Sequence, residues 1–241
     1  MTRAFAIFFL LIATCLHAQN QGVSSLLSVN DGLSQGMIFD ILQTRDGYLW
    51  IATKDGLNRF DGYRFEIFSN DAFDPFSIAS NESWHLFEDS RGWIWIICPA
   101  GLDVFVPKSG RFFHVLRQQM VGNIAPPLAI TETPDGNVWL TLNGKVWKID
   151  ASPGLLEKAA KEGNAIAGLP YKSIEAPGAA FTSVCFTKNK ELLASATNGL
   201  YLLDPVKVII QSKLLDTPLQ IVGEDKAGKI WFNILGDNWG W

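Results

Sequence analysis

The sequence has few charged side chains and few residues with redox or metal-binding chemistry. Charged residues make up 18% of the 241 positions and the formal net charge is −4, so nucleic acid is not expected as a partner. Three cysteines and three histidines are scattered along the chain, so neither a metal nor another cofactor is predicted. Apolar residues are abundant at 48%, which excludes a disordered chain.

Residues 1–18 resemble a secretory signal peptide. Arg3 provides a basic start, Ala4–Ala13 is an unbroken apolar run, and Leu16-His17-Ala18 resembles a cleavage site. A membrane anchor is the alternative, although a span needs about 20 apolar residues. A lipoprotein is a second alternative, because Ile12-Ala13-Thr14-Cys15 resembles a lipobox.

Two cysteines remain after the predicted cleavage, Cys98 and Cys185. Two cysteines far apart in sequence do not make a disulfide framework. Each lies in an apolar, strand-like run, so both are predicted to be buried free thiols.

A short motif that contains tryptophan recurs along the chain. Its first copy reads Asp46-Gly47-Tyr48-Leu49-Trp50-Ile51, and the tryptophan recurs after 45 and then 44 residues. A later copy follows after 92 residues, so a degenerate copy with Leu193 in the tryptophan position is predicted between them. The repeated structural residues are Trp50, Trp95, Trp139 and Trp231, with the turn glycines Gly47, Gly56, Gly92, Gly101 and Gly136.

The period of about 45 residues, with strand-like runs between turn signals, predicts an all-β fold, namely a β-propeller of four-stranded antiparallel blades. The Asp-Gly pairs are expected to supply positive-φ residues for tight hairpins. An insertion with a short helix at Leu155–Glu162 is expected between Ala151 and Thr182. The predicted repeats within a partial propeller at 19–241 are 38–68, 84–115, 128–150, 182–205 and 219–241.

The repeated tryptophans are expected to fill the wedge between neighbouring blades. Ligand stacking is the alternative role for a tryptophan. It applies best to Trp84 and Trp93, which lie outside the repeated position near predicted strand ends.

The long string Asp46–Gly62, preceded by Asp31-Gly32-Leu33-Ser34, resembles the two-component regulator propeller repeat. The resemblance is strong in the first half of the chain and weak in the second. It implies the periplasmic sensor region of a histidine kinase or hybrid two-component receptor, with seven-bladed rings and a membrane-anchored kinase elsewhere in the protein. It also implies that the ligand is a carbohydrate, because many such receptors respond to products of polysaccharide breakdown.

Catalytic motifs are not found in the sequence. The repeated aspartates are explained by turn chemistry, and no nucleophile elbow, phosphate-binding loop or zinc motif occurs. The chain is therefore predicted to be a sensing module and not an enzyme. A propeller enzyme (a polysaccharide lyase or hydrolase) and a protein-assembly module stay as alternatives.

A ligand is expected at the rim of the propeller, where the loops that enter the inner strands converge. Those loops include Pro126-Pro127. Polar groups beside an aromatic surface suit an oligosaccharide. The predicted contact residues are Gln35, Arg59, Asn81 and Trp84.

The repeats predict about five blades, the last one unfinished, and Ser24–Val29 is expected to form an extra strand before the first blade. The sequence therefore suggests an open arc from a longer or truncated receptor. Uncovered blade faces favour association, so self-association or docking of missing blades is expected.

Overall fold

The computed structural model describes residues 26–117, 129–166 and 168–235. The signal-peptide-like residues and Pro126-Pro127 lie outside the described residues, so the export prediction stays a prediction. Within these ranges the chain forms eighteen strands, one α-helix and one 3₁₀ turn. No helix in this part of the chain is long and apolar enough to cross a bilayer.

The strands form antiparallel sheets that follow one another along the chain, and we number these sheets blades 1 to 5. Blade 1 contains β1 (Ile38–Gln43), β2 (Leu49–Thr53), β3 (Leu57–Phe60) and β4 (Phe65–Phe68). Blade 2 contains β5 (His85–Glu88), β6 (Ile94–Cys98), β7 (Gly101–Val106) and β8 (Arg111–Arg117).

Blades 3 and 4 repeat this plan, and blade 5 shows two strands within the described residues. Blade 3 contains β9 (Ala129–Glu132), β10 (Val138–Leu142), β11 (Lys145–Ile149) and β12 (Tyr171–Glu175). Blade 4 contains β13 (Phe181–Phe186), β14 (Leu192–Ala196), β15 (Gly199–Asp204) and β16 (Ile209–Leu215). Blade 5 contains β17 (Leu219–Glu224) and β18 (Ile230–Ile234).

The first strand of each blade has a partner strand on one side, and successive blades contact one another through these first strands. The blades are therefore arranged around an axis with their first strands innermost. The predicted all-β propeller of four-stranded antiparallel blades is confirmed.

The predicted helix is confirmed as α1 (Pro153–Lys161). It does not separate two blades, however, because the insertion lies inside blade 3. The chain leaves β11, forms α1 and then returns to add β12 as the outermost strand of the same sheet.

The Asp-Gly pairs were expected to place both residues at positive φ in the hairpin turns, and this expectation is wrong for the aspartate. In the turn between β1 and β2 only Gly47 has a positive φ, 92°, and Asp46 does not. The Asp46 carboxylate instead accepts a hydrogen bond from the Thr44 hydroxyl at 2.5 Å. The other repeated glycines have positive φ as well: Gly56 (103°), Gly92 (80°), Gly101 (141°) and Gly136 (79°).

The strand predicted at Ser24–Val29 is wrong for the residues that the structure describes. Residues 26–28 are not in a strand, and Val29 begins the 3₁₀ turn Val29–Asp31. Ser28 caps this turn, because its hydroxyl accepts from the Asn30 N–H while its own N–H donates to Asp31. The capped turn satisfies these polar groups locally, so they need no partner strand.

Three of the repeated tryptophans fill the wedges between blades, as predicted. Trp50 is 2% exposed, and its ring centroid lies 5.1 Å from that of Phe105 in blade 2. Trp95 packs in a cluster that includes Leu140 of blade 3, and Trp139 packs against blade 4. Large rings at these positions bury the apolar faces that a single sheet would leave exposed.

The indole N–H groups of three repeated tryptophans, two buried and one exposed, obtain partners from within the same repeat. In three copies the Nε1–H donates to the residue six positions earlier, which is the first residue of the β-turn that joins the two inner strands. The pairs are Trp95 with Asp89 (2.9 Å), Trp139 with Thr133 (3.2 Å) and Trp231 with Asp225 (3.1 Å).

Gly101 begins β7 where side chains are excluded. A Cβ atom there would lie 1.8 Å from the Leu116 carbonyl oxygen, and the φ of 141° is strained for any other residue. We expect Gly101→Ala to destabilise the fold by more than about 1 kcal/mol. Urea unfolding measures this loss. Gly36→Ala is the matched control, because no atom lies within 4 Å of its added Cβ, and equal unfolding midpoints for the two variants would contradict the prediction.

Candidate functional site

The first strands of blades 2 to 5 line a cavity of about 430 Å³ on the propeller axis, which we call the lumen cavity. This volume lies within the roughly 300–1,000 Å³ typical of small-molecule sites. Because each first strand is an edge strand, its backbone also presents polar groups that no neighbouring strand uses.

One wall of the lumen cavity holds a histidine that is fixed by a carboxylate. His85 Nδ1 lies 2.7 Å from Asp40 Oδ2, so the pair joins blade 2 to blade 1. The same carboxylate accepts the Leu86 N–H at 2.9 Å and the Ile41 N–H at 2.8 Å. This geometry fixes the imidazole ring and leaves Nε2 as the ring atom available to a ligand.

The environment of Asp40 favours its charged form. Burial alone would raise the pKa of this carboxyl, but the hydrogen bonds from His85 and Leu86 and the charge of His85 outweigh burial. The net result is a pKa below the ordinary value of 3.8, so Asp40 is ionised at neutral pH.

Further polar side chains face the same cavity. The Thr131 hydroxyl accepts the Phe186 N–H at 3.2 Å, so its own proton can be donated to a ligand. Gln220 and Asn233 also line the cavity, and their amides can each donate and accept. Apolar groups lie between them, including Ile130. The lumen cavity therefore combines hydrogen-bonding groups with aliphatic side chains.

Both predicted free thiols are confirmed as free, but the predicted burial holds for Cys98 and not for Cys185, which is partly exposed. Cys98 is buried, and burial raises its pKa to about 12. Cys185 lines the lumen cavity, and burial followed by the charge of Glu224 raises its pKa. A thiol that stays protonated is a poor nucleophile, so the raised pKa lowers the reactivity of Cys185. Among the described residues no group of His, Cys, Asp and Glu is arranged to hold a metal ion.

Asn81 and Trp84 lie in the connection between blades 1 and 2, as predicted. The Asn81 side chain accepts the Asn70 N–H at 2.7 Å and donates to Asp55 at 3.1 Å. Trp84 donates from Nε1 to Glu82 at 2.8 Å and packs partly against the core. Much of their hydrogen-bonding capacity is therefore used inside the protein.

The other two predicted contact residues are placed differently. Gln35 lies in the short segment before β1, where its side-chain oxygen accepts the Met37 N–H. Arg59 lies in β3. Its guanidinium is 4.8 Å from the Tyr48 ring centroid and is paired with Glu66. Gln35 thus lies in the segment before β1, Asn81 and Trp84 lie in the segment before β5, and Arg59 lies within a strand. Their role as ligand contacts stays a prediction.

The lumen residues were not identified from the sequence. A usable signal did exist, because His85 and Ser183 both lie ten positions before the repeated tryptophan or its Leu193 substitute. Residues at this offset fall in the innermost strand of each blade, so aligning the repeats would have located part of the lumen lining.

Residues 32–55 match the two-component regulator propeller family. The chain is also 45% identical over 74 residues to histidine kinase P4 of Formosa agariphila. That match covers 30% of this chain and 5% of the kinase, so this chain spans a small part of its relative's length.

Solved structures with the same fold include two extracellular domains from B. thetaiotaomicron. The extracellular domain of a hybrid two-component system superposes with a TM-score of 0.51 at 17% identity, over 87% of this chain and 34% of that chain. The extracellular domain of a one-component system superposes with a TM-score of 0.59 at 18% identity, over 89% of this chain and 27% of that chain.

An enzyme shares this fold as well. Virginiamycin B lyase from Staphylococcus aureus superposes with a TM-score of 0.57 at 12% identity, over 81% of this chain and 62% of that chain. At such low identity the similarity concerns the propeller fold alone.

Proposed function

Because this chain carries a two-component regulator propeller repeat on a propeller fold, we propose that it is the ligand-sensing module of a two-component receptor and that it works in the periplasm. The periplasmic location is supported by the signal-peptide-like residues 1–18 and by the extracellular placement of the similar receptor domains. The propeller binds its ligand without a catalytic step, and phosphotransfer belongs to a kinase in another part of the receptor.

The proposed ligand is an oligosaccharide bound in the lumen cavity. The main observation behind this proposal is that polar and apolar residues together line a cavity of about 430 Å³. A sugar presents hydroxyl groups along its ring edge and apolar C–H groups on its faces. His85, Thr131, Gln220 and Asn233 match the hydroxyls, and Ile130 matches the C–H face.

Isothermal titration calorimetry with a panel of neutral and acidic di- to tetrasaccharides tests this proposal. We expect one class of sugar to bind the wild-type protein. Gln220→Ala and Asn233→Ala should each weaken binding roughly two- to tenfold, because one hydrogen bond contributes about 0.5–1.5 kcal/mol. Gln211→Ala is the matched control, since Gln211 is exposed on the outermost strand of blade 4.

The same titrations separate the lumen cavity from the rim. If Asn81→Ala and Trp84→Ala weaken binding while both lumen variants bind normally, the ligand lies at the rim and the lumen site is wrong. If no sugar in the panel binds, the carbohydrate proposal is wrong. Release of shortened or unsaturated sugars during incubation would identify a lyase or hydrolase and contradict the sensing role.

A further inference from the structure

The two ring nitrogens of His85 have different surroundings. Nδ1 lies 2.7 Å from Asp40 Oδ2, whereas none of the described residues is hydrogen-bonded to Nε2. The imidazole side chain is 33% exposed and lines the lumen cavity. An ionised carboxylate can only accept hydrogen bonds, so Nδ1 must carry a proton in order to bond with Asp40. Nε2 is therefore the nitrogen that a ligand in the cavity meets.

Asp40 stays ionised while the ring gains or loses a proton. Its Oδ2 also accepts the Leu86 N–H at 2.9 Å, and its Oδ1 accepts the Ile41 N–H at 2.8 Å. The pKa of Asp40 lies below the ordinary value of 3.8, which is outside the range of about pH 5–8 in which histidines change charge. Nδ1 therefore keeps its proton in both forms of the ring, and the second proton binds and leaves at Nε2.

The other ionisable groups around the cavity are protonated or paired. Besides His85, Cys185 is the one titratable side chain among the described residues that line the cavity, and burial followed by the charge of Glu224 raises its pKa. Glu82, which precedes β5, is paired with Lys54 at 2.7 Å. The remaining charged side chains on the first strands are glutamates at the last residue of their strands, whereas His85 is the first residue of β5. Each glutamate accepts a hydrogen bond from the preceding blade: Glu88 from Arg45, Glu132 from Ser90 and Glu224 from Lys188.

The proton on Nε2 decides which ligand group His85 can hold. In the neutral ring Nε2 accepts a hydrogen bond, which a hydroxyl group can donate and a carboxylate cannot. The uncompensated charge of Asp40 also repels a carboxylate. In the charged ring the positive charge balances Asp40, and a carboxylate can accept a charge-assisted hydrogen bond from Nε2. A hydroxyl group both donates and accepts, so it fits either form of the ring.

We propose that Asp40 is a positioning residue that confines the gain and loss of the His85 proton to Nε2, and that Nε2 thereby determines whether the lumen cavity admits a carboxylate. The cavity takes neutral sugars with either form of the ring, and it takes acidic sugars only when His85 is charged. This sugar specificity rests on the proposed function, whereas the position of the proton does not, so the two parts are tested separately.

Nitrogen-15 NMR of the histidine rings in the full chain tests where the proton lies. His85→Gln identifies the His85 signals among those of the three histidines. Between about pH 5 and pH 9 the Nε2 signal should change from that of a protonated nitrogen to that of an unprotonated one, while Nδ1 stays protonated. Asp40→Ala should let the remaining proton distribute over both nitrogens. His114 is the internal control, because its Nδ1 lies 2.8 Å from Asp103 and its signals should not respond to Asp40→Ala. A wild-type ring that loses its proton from Nδ1, or that keeps one charge over the whole range, would overturn the proposal.

Calorimetry with matched sugars tests the specificity. Digalacturonate and its carboxyl-reduced counterpart differ only in their carboxylate groups. We expect the acidic sugar to bind at least about tenfold more tightly at about pH 6 than at about pH 8, because it gains a charge-assisted hydrogen bond and loses a repulsion. The affinity of the carboxyl-reduced sugar should change by less than about twofold, because a hydroxyl group fits both forms of the ring. An acidic sugar that binds equally well at both pH values, or at neither while its reduced counterpart binds, would contradict the proposed specificity.

Variants assign the pH dependence to the His85–Asp40 pair. His85→Gln keeps a hydrogen-bonding group that cannot change charge, so the preference of the acidic sugar for low pH should disappear. Asp40→Ala removes the repelling charge, so it should raise the affinity for the acidic sugar at about pH 8 and narrow the difference between the two pH values. Glu224→Gln is the matched control, because it removes a carboxylate that lies near Cys185 but does not line the cavity, and the pH dependence should persist. A dependence that persists in His85→Gln would show that another group controls it.

Acetate serves as the probe if neither sugar binds, in which case the sugar proposal fails on its own. Acetate should shift the His85 Nε2 signal at about pH 6 and leave it unchanged at about pH 8. An equal shift at both pH values, or none at either, would overturn the proposed selection of carboxylates.

Discussion

Replacing Trp95 with alanine is expected to destabilise the propeller by about 3–5 kcal/mol, the range for truncating a large buried aromatic side chain. Trp95 is fully buried between blades 2 and 3, and its indole N–H donates to a carboxylate that is also fully buried. The variant loses this packing and leaves a cavity between the two blades. Denaturant unfolding monitored by circular dichroism measures the change.

Trp231→Ala is the control for this experiment. It removes the same side chain from the same position of the repeat, but Trp231 is 60% exposed and leaves no closed cavity. The loss should therefore be far smaller. Similar losses for Trp95→Ala and Trp231→Ala would mean that the tryptophan stabilises its own blade and not the wedge between blades.

Asp89→Ala is expected to cost up to about 3–5 kcal/mol, because it removes the buried carboxylate that pairs with Arg91 and leaves Glu132, at 3.6 Å, as the remaining charged partner. Asp89 is fully buried and accepts from Arg91 Nη2 at 2.6 Å, from Arg91 Nε at 2.9 Å and from the Trp95 indole. Its second oxygen accepts the backbone N–H groups of Arg91 and Trp93. One carboxylate thus fixes the turn, the arginine and the wedge tryptophan of blade 2.

Two further variants separate the charge of Asp89 from its hydrogen bonds. Asp89→Asn keeps an acceptor for the turn but loses the ion pair, so its unfolding free energy should fall between those of the wild type and Asp89→Ala. Asp225→Ala removes the turn and indole hydrogen bonds of blade 5, where Ala227 replaces the arginine and Trp231 is exposed, and should have a small effect. If Asp89→Asn unfolds like the wild type, the pairing with Arg91 contributes little to stability.

The blade as a unit was predictable because its determinants are close together in sequence. The turn that contains Gly47 and the strand that contains Trp50 lie within a few residues of each other, and a hairpin needs no distant contact to form. The same locality explains why α1 was placed correctly. Its position inside blade 3 was not predicted, because β12 returns to the sheet after the insertion and only strand pairing assigns it to that blade.

The candidate site was predicted less well than the fold. Asn81 and Trp84 lie in the connection between blades 1 and 2, and their polar atoms bond to neighbours that a linear motif does not identify, such as Asp55 and Glu82. Their contact with a ligand stays a prediction. The lumen cavity was missed because it is assembled from separate blades. His85 and Gln220, for example, belong to blades 2 and 5 and line one cavity.

The repeat and the hairpins can be predicted from the sequence alone, since each depends on residues a few positions apart. The spacing of about 45 residues also identifies the wedge tryptophans, although their packing partners lie in the following blade. The tertiary structure decided which side chains meet around the axis and across blade interfaces. Asp40 pairs with His85, and Arg45 meets Glu88, because neighbouring blades pack face to face at a fixed rotation. These contacts join residues more than forty positions apart, and packing of whole sheets, rather than local backbone preference, brings them together.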